Sequence, residues 1–177
     1  MRLDGLRDAY AWVETSRPPS DRAAVVCHGD FHPLNVMMEG SNVTGVLDWA
    51  NMRIADAAWD VGAAIALFGH WPIDLPGPVV PVVNVIRNWL LRRYEKAYLA
   101  ERPLDLASVR HYEAMRLLGF MVETGIYRQA KAGVIPPTTK AAPFNDPRVL
   151  RGITKRFTAI TGVAVWLPED TSYGTRG

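Results

Sequence analysis

The feature that constrains this chain most is a polar segment of eight residues placed between short apolar stretches. The segment reads HGDFHPLN and occupies residues 28–35, after a Val-rich run at 23–27 that is typical of a buried strand. Two more strand-like runs follow at 35–38 and 43–47, and the intervening residues 39–42 (EGSN) have the composition of a hairpin turn. Because the first and last residues of a tight hairpin lie side by side, polar side chains at its two ends should converge.

Three oxygen-bearing side chains stand at the ends of this predicted hairpin. Asp30 and Asn35 precede or begin its first strand, and Asp48 follows its second strand in the tripeptide LDW. Two carboxylates and one amide oxygen form a set of hard ligands that suits Mg²⁺ and leaves positions open for water and phosphate. The sequence therefore predicts a magnesium site at the base of the hairpin.

The rest of the chain is predicted to be helical. Apolar periodicity favours helices at 2–15, 57–69, 82–100, 105–132 and 149–160, and Asp56 is expected to cap the second of these. The helix at 82–100 is expected to turn inward the apolar residues Val85, Ile86, Trp89, Leu90 and Tyr94. Trp49, Trp59 and Trp89 are expected in the core. The predicted fold class is α+β and mostly α-helical, with residues 1–165 as a single domain and 166–177 as a flexible tail.

Composition narrows the class of protein without naming a function. A chain of 177 residues with 49% hydrophobic residues suits one globular domain. A net charge of +2 is too small to indicate a nucleic-acid partner, and the longest apolar run, residues 61–68, is too short to cross a membrane. The single cysteine excludes an internal disulfide framework. We expect a soluble cytoplasmic protein with no nucleic-acid and no membrane partner.

The polar segment, the hairpin and the LDW tripeptide together resemble the catalytic loop and metal motif of the aminoglycoside phosphotransferase family. That family also resembles choline kinases and has a protein-kinase-like fold. Residues 55–62 (ADAAWDVG) are similar to the helix start that follows in the family, and residues 94–116 are similar to its late helices. The resemblance runs from about residue 3 to residue 130.

The resemblance implies a role for each of these residues. Asp30 would be the catalytic aspartate that accepts or orients the proton of the attacking hydroxyl. Asn35 and Asp48 would bind the Mg²⁺ that bridges the phosphates of ATP or GTP, while His28 and Asp60 would support the loop through hydrogen bonds to its backbone. The acceptor would be a small hydroxylated molecule such as an aminoglycoside, a macrolide, a sugar or an amino alcohol. These roles suit phosphoryl transfer, which depends mainly on positioning and charge neutralisation.

The resemblance covers the C-terminal lobe of a kinase-like enzyme only. All four lysines follow the HGDFHPLN segment, and neither GxGxxG nor GxxxxGK[ST] occurs. We therefore expect the N-terminal, nucleotide-covering lobe to be absent, and catalysis by the chain alone to be weak because charge stabilisation is lost. The surface that would face that lobe should be partly apolar, which leaves open a homodimer or a partner that supplies the missing lobe.

Two other functions remain open at this point. One is a non-catalytic remnant or a binding and dimerisation module of the same fold. The other is a metallohydrolase in which His28, Asp30 and His32 alternate on one face of an extended segment, although Pro33 and the lack of a nearby fourth ligand disfavour it. Cys27 is expected to be a buried, inert thiol, because neighbouring strand residues point to opposite faces and it would not meet His28.

Overall fold

The computed structural model describes residues 4–19, 23–73, 77–137 and 143–167. Within these ranges the chain has an α+β fold that is mostly helical, as predicted. The helices are α1 (Arg7–Thr15), α2 (Ala57–His70), α3 (Val80–Glu101), α4 (Leu106–Lys131) and α5 (Pro147–Thr161). The strands are β1 (Ala24–Cys27), β2 (Val36–Glu39), β3 (Asn42–Val46) and β4 (Arg53–Asp56).

Aspartates fix the first residues of three helices. The Asp56 carboxylate accepts a hydrogen bond from the backbone N–H of Ala58 at 2.9 Å, which confirms the predicted cap of α2. Asp105 caps α4 and Asp146 caps α5 in the same manner. A carboxylate at this position satisfies a backbone donor that has no partner inside the helix, and it also faces the positive end of the helix dipole.

The strands form two separate antiparallel pairs. β2 and β3 form the predicted hairpin, with Val36 opposite Val46 and a turn in which Gly40 has a φ of +60°. β1 pairs with β4, so that Ala24 lies opposite Asp56. The predicted hairpin is present, and the pairing of β1 with β4 is an additional feature that the sequence did not predict. β4 has only four residues and its partner lies far away in the sequence, so no local pattern marks it as a strand.

The main core lies around α4. Buried side chains of α4 pack there against side chains of α1 and α5. The largest buried side chains of this core are Leu117, Phe120, Met121, Ile153 and Phe157. On its other side α4 packs very closely against α2, because a Cβ added at Gly62 would lie 2.6 Å from the carbonyl oxygen of Val109. Only glycine allows the two backbones to approach so closely.

Helix α3 contacts the rest of the protein mainly through residues other than those predicted to point inward. Val85, Ile86, Trp89 and Leu90 were predicted to point inward and are exposed, with Val85 67% accessible. Of the five residues predicted to point inward, Tyr94 does so, and together with Leu91 and Tyr98 it packs against the smaller core cluster that includes residues of α2. The apolar residues of α3 spread over a wide face, and periodicity alone does not tell which part of that face meets the body.

Two of the three tryptophans expected in the core are exposed. Trp59 is buried, whereas Trp49 and Trp89 are about half accessible. The Trp49 indole N–H donates to the carbonyl of Val46 at 2.8 Å, and the Arg93 guanidinium lies 5.1 Å from the centre of the Trp89 ring. Each of these two exposed rings therefore has a polar or cationic neighbour at the surface. Such contacts are favourable for a large aromatic side chain that is partly exposed to solvent.

The last described residues pack onto the start of the chain. The backbone N–H of Trp166 donates to the carbonyl of Gly5 at 3.4 Å, and Val165 and Leu167 pack against the main core. Of the predicted tail at 166–177, the part from residue 168 onward lies outside the described residues. Among the helices that are described, none combines the length and the apolar character needed to span a bilayer.

Candidate functional site

The first turn of α2 is hydrogen-bonded to the beginning of the polar segment at residues 28–35. The Asp60 carboxylate accepts hydrogen bonds from the backbone N–H of His28 at 2.9 Å and from that of Gly29 at 2.8 Å. Both carboxylate oxygens are thus used, one for each donor, and bonds to an ionised acceptor are stronger than neutral ones. Asp60 therefore ties the segment to the N-terminal end of a buried helix.

Gly29 is required by the close approach between this segment and the turn that follows Asp48. Its φ is +80°, a conformation that favours glycine, and a Cβ at this position would lie 2.5 Å from the carbonyl oxygen of Asn51. Both the backbone conformation and the contact exclude a side chain. The loop at residues 28–35 is thereby pressed against residues 49–51.

The His28 side chain links the loop to the end of β3. Its Nε2 lies 2.7 Å from the carbonyl oxygen of Leu47, and its Nδ1 lies 3.2 Å from the backbone nitrogen of Asp30. The carbonyl accepts only, so Nε2 carries the proton, and Nδ1 then accepts from the Asp30 N–H. Because both ring nitrogens are engaged in this way, His28 has no lone pair to offer a metal ion in this arrangement.

Asn35 joins the loop to the hairpin. Its side-chain Nδ2 donates to the carbonyl oxygen of Asp30 at 3.0 Å, and its own carbonyl accepts the N–H of Leu47 at 2.8 Å. The structure therefore connects Asp30, Asn35 and Leu47 by hydrogen bonds, and Asp48 is the next residue in the chain. These bonds bring the backbone of the loop to the end of the hairpin, whereas convergence of the Asp30, Asn35 and Asp48 side-chain oxygens stays a prediction.

Asp48 has an unusual backbone conformation. Its φ of 60° and ψ of 62° lie in the left-handed region, and it is the one non-glycine residue with positive φ among the residues that the structure describes. Asp and Asn tolerate this region better than other residues, although it still costs roughly 1 kcal/mol. Such a conformation is maintained where the surrounding structure requires it, and it occurs often at functional sites.

The oxygen atoms of Asn35 and Asp48 have the chemical character of ligands for a divalent cation. In the described ranges, no hydrogen bond or ion pair engages the Asp48 carboxylate, and Asn35 directs its NH₂ group at Asp30, which leaves Oδ1 as an acceptor. Free carboxylate and amide oxygens are the ligands that Mg²⁺ prefers. No three His, Cys, Asp or Glu side chains of the described chain cluster as a metal site, so an ion here would depend on the amide of Asn35.

Two neighbouring residues lie outside this network. The Cys27 thiol is completely buried, as predicted, and burial is the main cause that raises its pKa, so it remains protonated at neutral pH. His32 points to a different region, where its ring lies 5.9 Å from that of Trp71. The set of His28, Asp30 and His32 proposed for a metallohydrolase therefore does not form a metal cluster.

The sequence reasoning missed two contributors to the site. The carbonyl of Leu47 accepts the His28 proton, and the Trp49 ring lies 4.7 Å from the His28 ring. Both residues flank Asp48 in the LDW tripeptide. The contact between Trp49 and His28 joins segments that are distant in the sequence, so no local pattern marks it.

These features define an α+β protein with an aspartate-braced polar loop beside the base of a hairpin. A model of the phosphotransferase enzyme family matches residues 2–118, which is more than half of the chain. The chain therefore belongs to the phosphotransferase enzyme family, and the resemblance to the aminoglycoside phosphotransferases is confirmed. No curated protein and no solved structure matches it significantly.

Proposed function

We propose that this chain carries the catalytic and metal-binding residues for transfer of the terminal phosphoryl group of ATP or GTP to a hydroxyl group of a small molecule. Membership of the phosphotransferase enzyme family supports the general activity. The observation that carries the proposal is the hydrogen-bonded connection from Asp30 through Asn35 to Leu47, directly before the strained residue Asp48.

Asp30 is proposed to accept the proton of the acceptor hydroxyl. Its backbone is held on both sides, since its N–H donates to the His28 ring and its carbonyl accepts from the Asn35 side chain. The acceptor oxygen bonds to the γ-phosphorus while the bond from that phosphorus to the β–γ bridging oxygen breaks. The electron pair leaves with the nucleoside diphosphate, and the hydroxyl proton passes to Asp30 and then to solvent.

Asn35 and Asp48 are proposed to hold Mg²⁺. When bound, Mg²⁺ neutralises charge on the phosphates of the nucleotide. The contribution of the chain is to present two oxygen ligands from a fixed hairpin, and the bonds of Asp60 and His28 to the loop keep these ligands in register with Asp30. Because its nucleotide donor is an intracellular metabolite, we propose a cytoplasmic location.

Calorimetry with ATP and with GTP tests this proposal. We expect Mg²⁺-dependent nucleotide binding by the wild-type chain, and at least tenfold weaker binding by Asp48→Asn, which keeps a side chain suited to the left-handed region. Glu39→Gln, at the exposed turn end of β2, serves as the matched control because it removes a carboxylate from the same hairpin. Equal affinity of wild type and Asp48→Asn would count against the assignment.

A second function is favoured by the exposed sheet beside the loop. Val26 of β1 and Ile54 of β4 are 61% and 76% accessible, and they lie opposite each other on the paired strands. An apolar sheet face of this kind supports a binding module that is completed by a second copy or by a partner that supplies a nucleotide-covering lobe. Turnover by the chain alone, measured over a panel of hydroxylated acceptors, would exclude a purely non-catalytic module.

A further inference from the structure

A cavity of about 320 Å³ opens beside the loop that carries Asp30. Its walls come from the three residues that follow Asp30, from the hairpin, from α2 and from α3. Its lining residues include Phe31, Val36, Met38, Leu90, Leu91 and Tyr94. The Phe31 and Tyr94 rings stack with their centres 6.2 Å apart, which fixes the wall nearest the loop.

The lining of this cavity is almost entirely apolar. It contains no carboxylate, and its ionisable side chains are His32 and Tyr94. Burial is the main cause that raises the pKa of the Tyr94 hydroxyl, so this group stays neutral at physiological pH. A cationic group that entered the cavity would lose its hydration without gaining an opposite charge, which is unfavourable.

One cationic side chain lies next to the cavity, and the loop beside it carries the Asp30 carboxylate. A smaller cavity of about 140 Å³ adjoins it and shares His32, Pro33 and Phe68 with it. Arg87 lines this smaller cavity, and its guanidinium donates to the carbonyls of Gly69 and Trp71 at 3.2 and 2.9 Å. Of the carboxylates on the loop side, that of Asp60 is occupied by two backbone donors.

We propose that the acceptor is a neutral alcohol with a small apolar body, which fills the cavity between the loop and α3 and leaves its hydroxyl beside Asp30. This inference rests on the proposed phosphoryl transfer and specifies its substrate class. It separates the protein from enzymes that act on polycations, since the lining offers a complementary surface to a ring or a branched chain and none to several ammonium groups.

Fluorescence titration and calorimetry with 2-(1-naphthyl)ethanol, a neutral aromatic alcohol, test the proposal without nucleotide. Kanamycin serves as the polycationic comparison. We expect saturable binding of the naphthyl alcohol, and at least tenfold tighter binding than that of kanamycin. Leu90→Asp should weaken binding of the naphthyl alcohol at least tenfold, because it introduces a carboxylate into the lining. The position is already 40% accessible, so the variant is expected to fold.

Val85→Asp is the matched control, since Val85 lies on the outer face of the same helix and does not line the cavity. It should leave the affinity for the naphthyl alcohol unchanged within twofold. The acceptor assignment is overturned if the wild type shows no saturable binding, if kanamycin binds as tightly, or if both variants have the same effect.

Phosphoryl-transfer assays with the same two compounds separate this proposal from the proposed function. Phosphorylation of kanamycin but not of the naphthyl alcohol would uphold the activity and overturn the acceptor class. Saturable, Leu90-dependent binding of the naphthyl alcohol without any transfer would uphold the cavity's preference and count against the activity of the chain.

Discussion

The His28 ring donates a hydrogen bond of 2.7 Å to the carbonyl of Leu47, nineteen residues further along the chain. This bond joins the loop that carries Asp30 to the end of β3, directly before Asp48. Together with the bonds that Asn35 makes to Asp30 and Leu47, it joins the two halves of the candidate site into one hydrogen-bonded unit. A disturbance of the loop should be transmitted to Asp48, and several substitutions can measure how strongly.

Asp60→Asn should destabilise the protein. An amide retains one acceptor for the N–H groups of His28 and Gly29, but it loses the charge and directs an NH₂ group at the second donor. We expect the free energy of unfolding in urea to fall by about 1–3 kcal/mol. Glu39→Gln, which also removes a carboxylate, should change it by less than about 0.5 kcal/mol. Equal effects of the two variants would contradict the bracing role of Asp60.

The left-handed backbone of Asp48 predicts that a glycine variant is more stable than an alanine variant, the reverse of the order inside a helix. Asp48→Gly should be more stable than Asp48→Ala by about 1 kcal/mol, because glycine adopts positive φ without strain. At Arg92, an exposed position inside α3, the order should reverse and alanine should be favoured by about 1 kcal/mol. Thermal unfolding of the four variants checks both orders, and a preference for alanine at both positions would contradict the conformation of Asp48.

Gly62→Ala should be strongly unfavourable although it lies in a helix. The added Cβ would lie 2.6 Å from the Val109 carbonyl oxygen and 2.7 Å from the Glu113 nitrogen, and these backbone atoms can move only if α2 and α4 separate. We expect a loss of about 2 kcal/mol or more in the free energy of unfolding.

Gly119→Ala is the control for that substitution. Gly119 lies within α4 with open space around its missing Cβ, so alanine should stabilise the protein by up to about 1 kcal/mol. Denaturant unfolding of both variants gives the comparison. Similar stability of the two would show that α2 and α4 are less tightly packed than described.

His111 predicts a loss of stability at mildly acidic pH. Burial, and next the positive charge of Arg17, lower the pKa of His111 below its ordinary value of 6.5 in the folded state. The unfolded chain therefore binds a proton first as the pH falls, so the stabilisation present above pH 6.5 is lost progressively below it.

Unfolding experiments from pH 8 to pH 5 measure this effect. The free energy of unfolding of the wild type should fall more steeply below pH 6.5 than that of His111→Gln, whatever the offset between the two curves. The Ser16 hydroxyl donates to the Trp12 carbonyl and accepts from Nδ1 of His111, and the glutamine amide can also donate to it. Parallel curves would assign the acid sensitivity to other groups.

Sequence patterns sufficed where the determining interactions are local. The helices, the Asp56 cap and the β2–β3 hairpin follow from apolar spacing, a capping carboxylate and a turn that contains Gly40, and the structure confirms them. The convergence of the Asp30, Asn35 and Asp48 side-chain oxygens remains a prediction. The magnesium ligands and the identity of the proton acceptor remain predictions.

The features that the sequence did not reveal depend on contacts between distant segments. β4 exists because it pairs with β1, and its four residues carry no periodic signal of their own. The contact of Trp49 with His28 requires the loop and the hairpin end to be folded together. The face of α3 that meets the body depends on the shape of α2, which the pattern of α3 does not contain.

The mode of attachment of α3 has a consequence for motion. None of its 22 residues is fully buried, whereas α4 carries the centre of the core. Backbone amides of α3 should therefore exchange their hydrogens with solvent through a local opening that leaves α4 closed. The helix that provides Leu90 and Tyr94 can thus move without opening the core. Its displacement would let the cavity accept ligands of somewhat different size while the loop held by Asp60 stays in place.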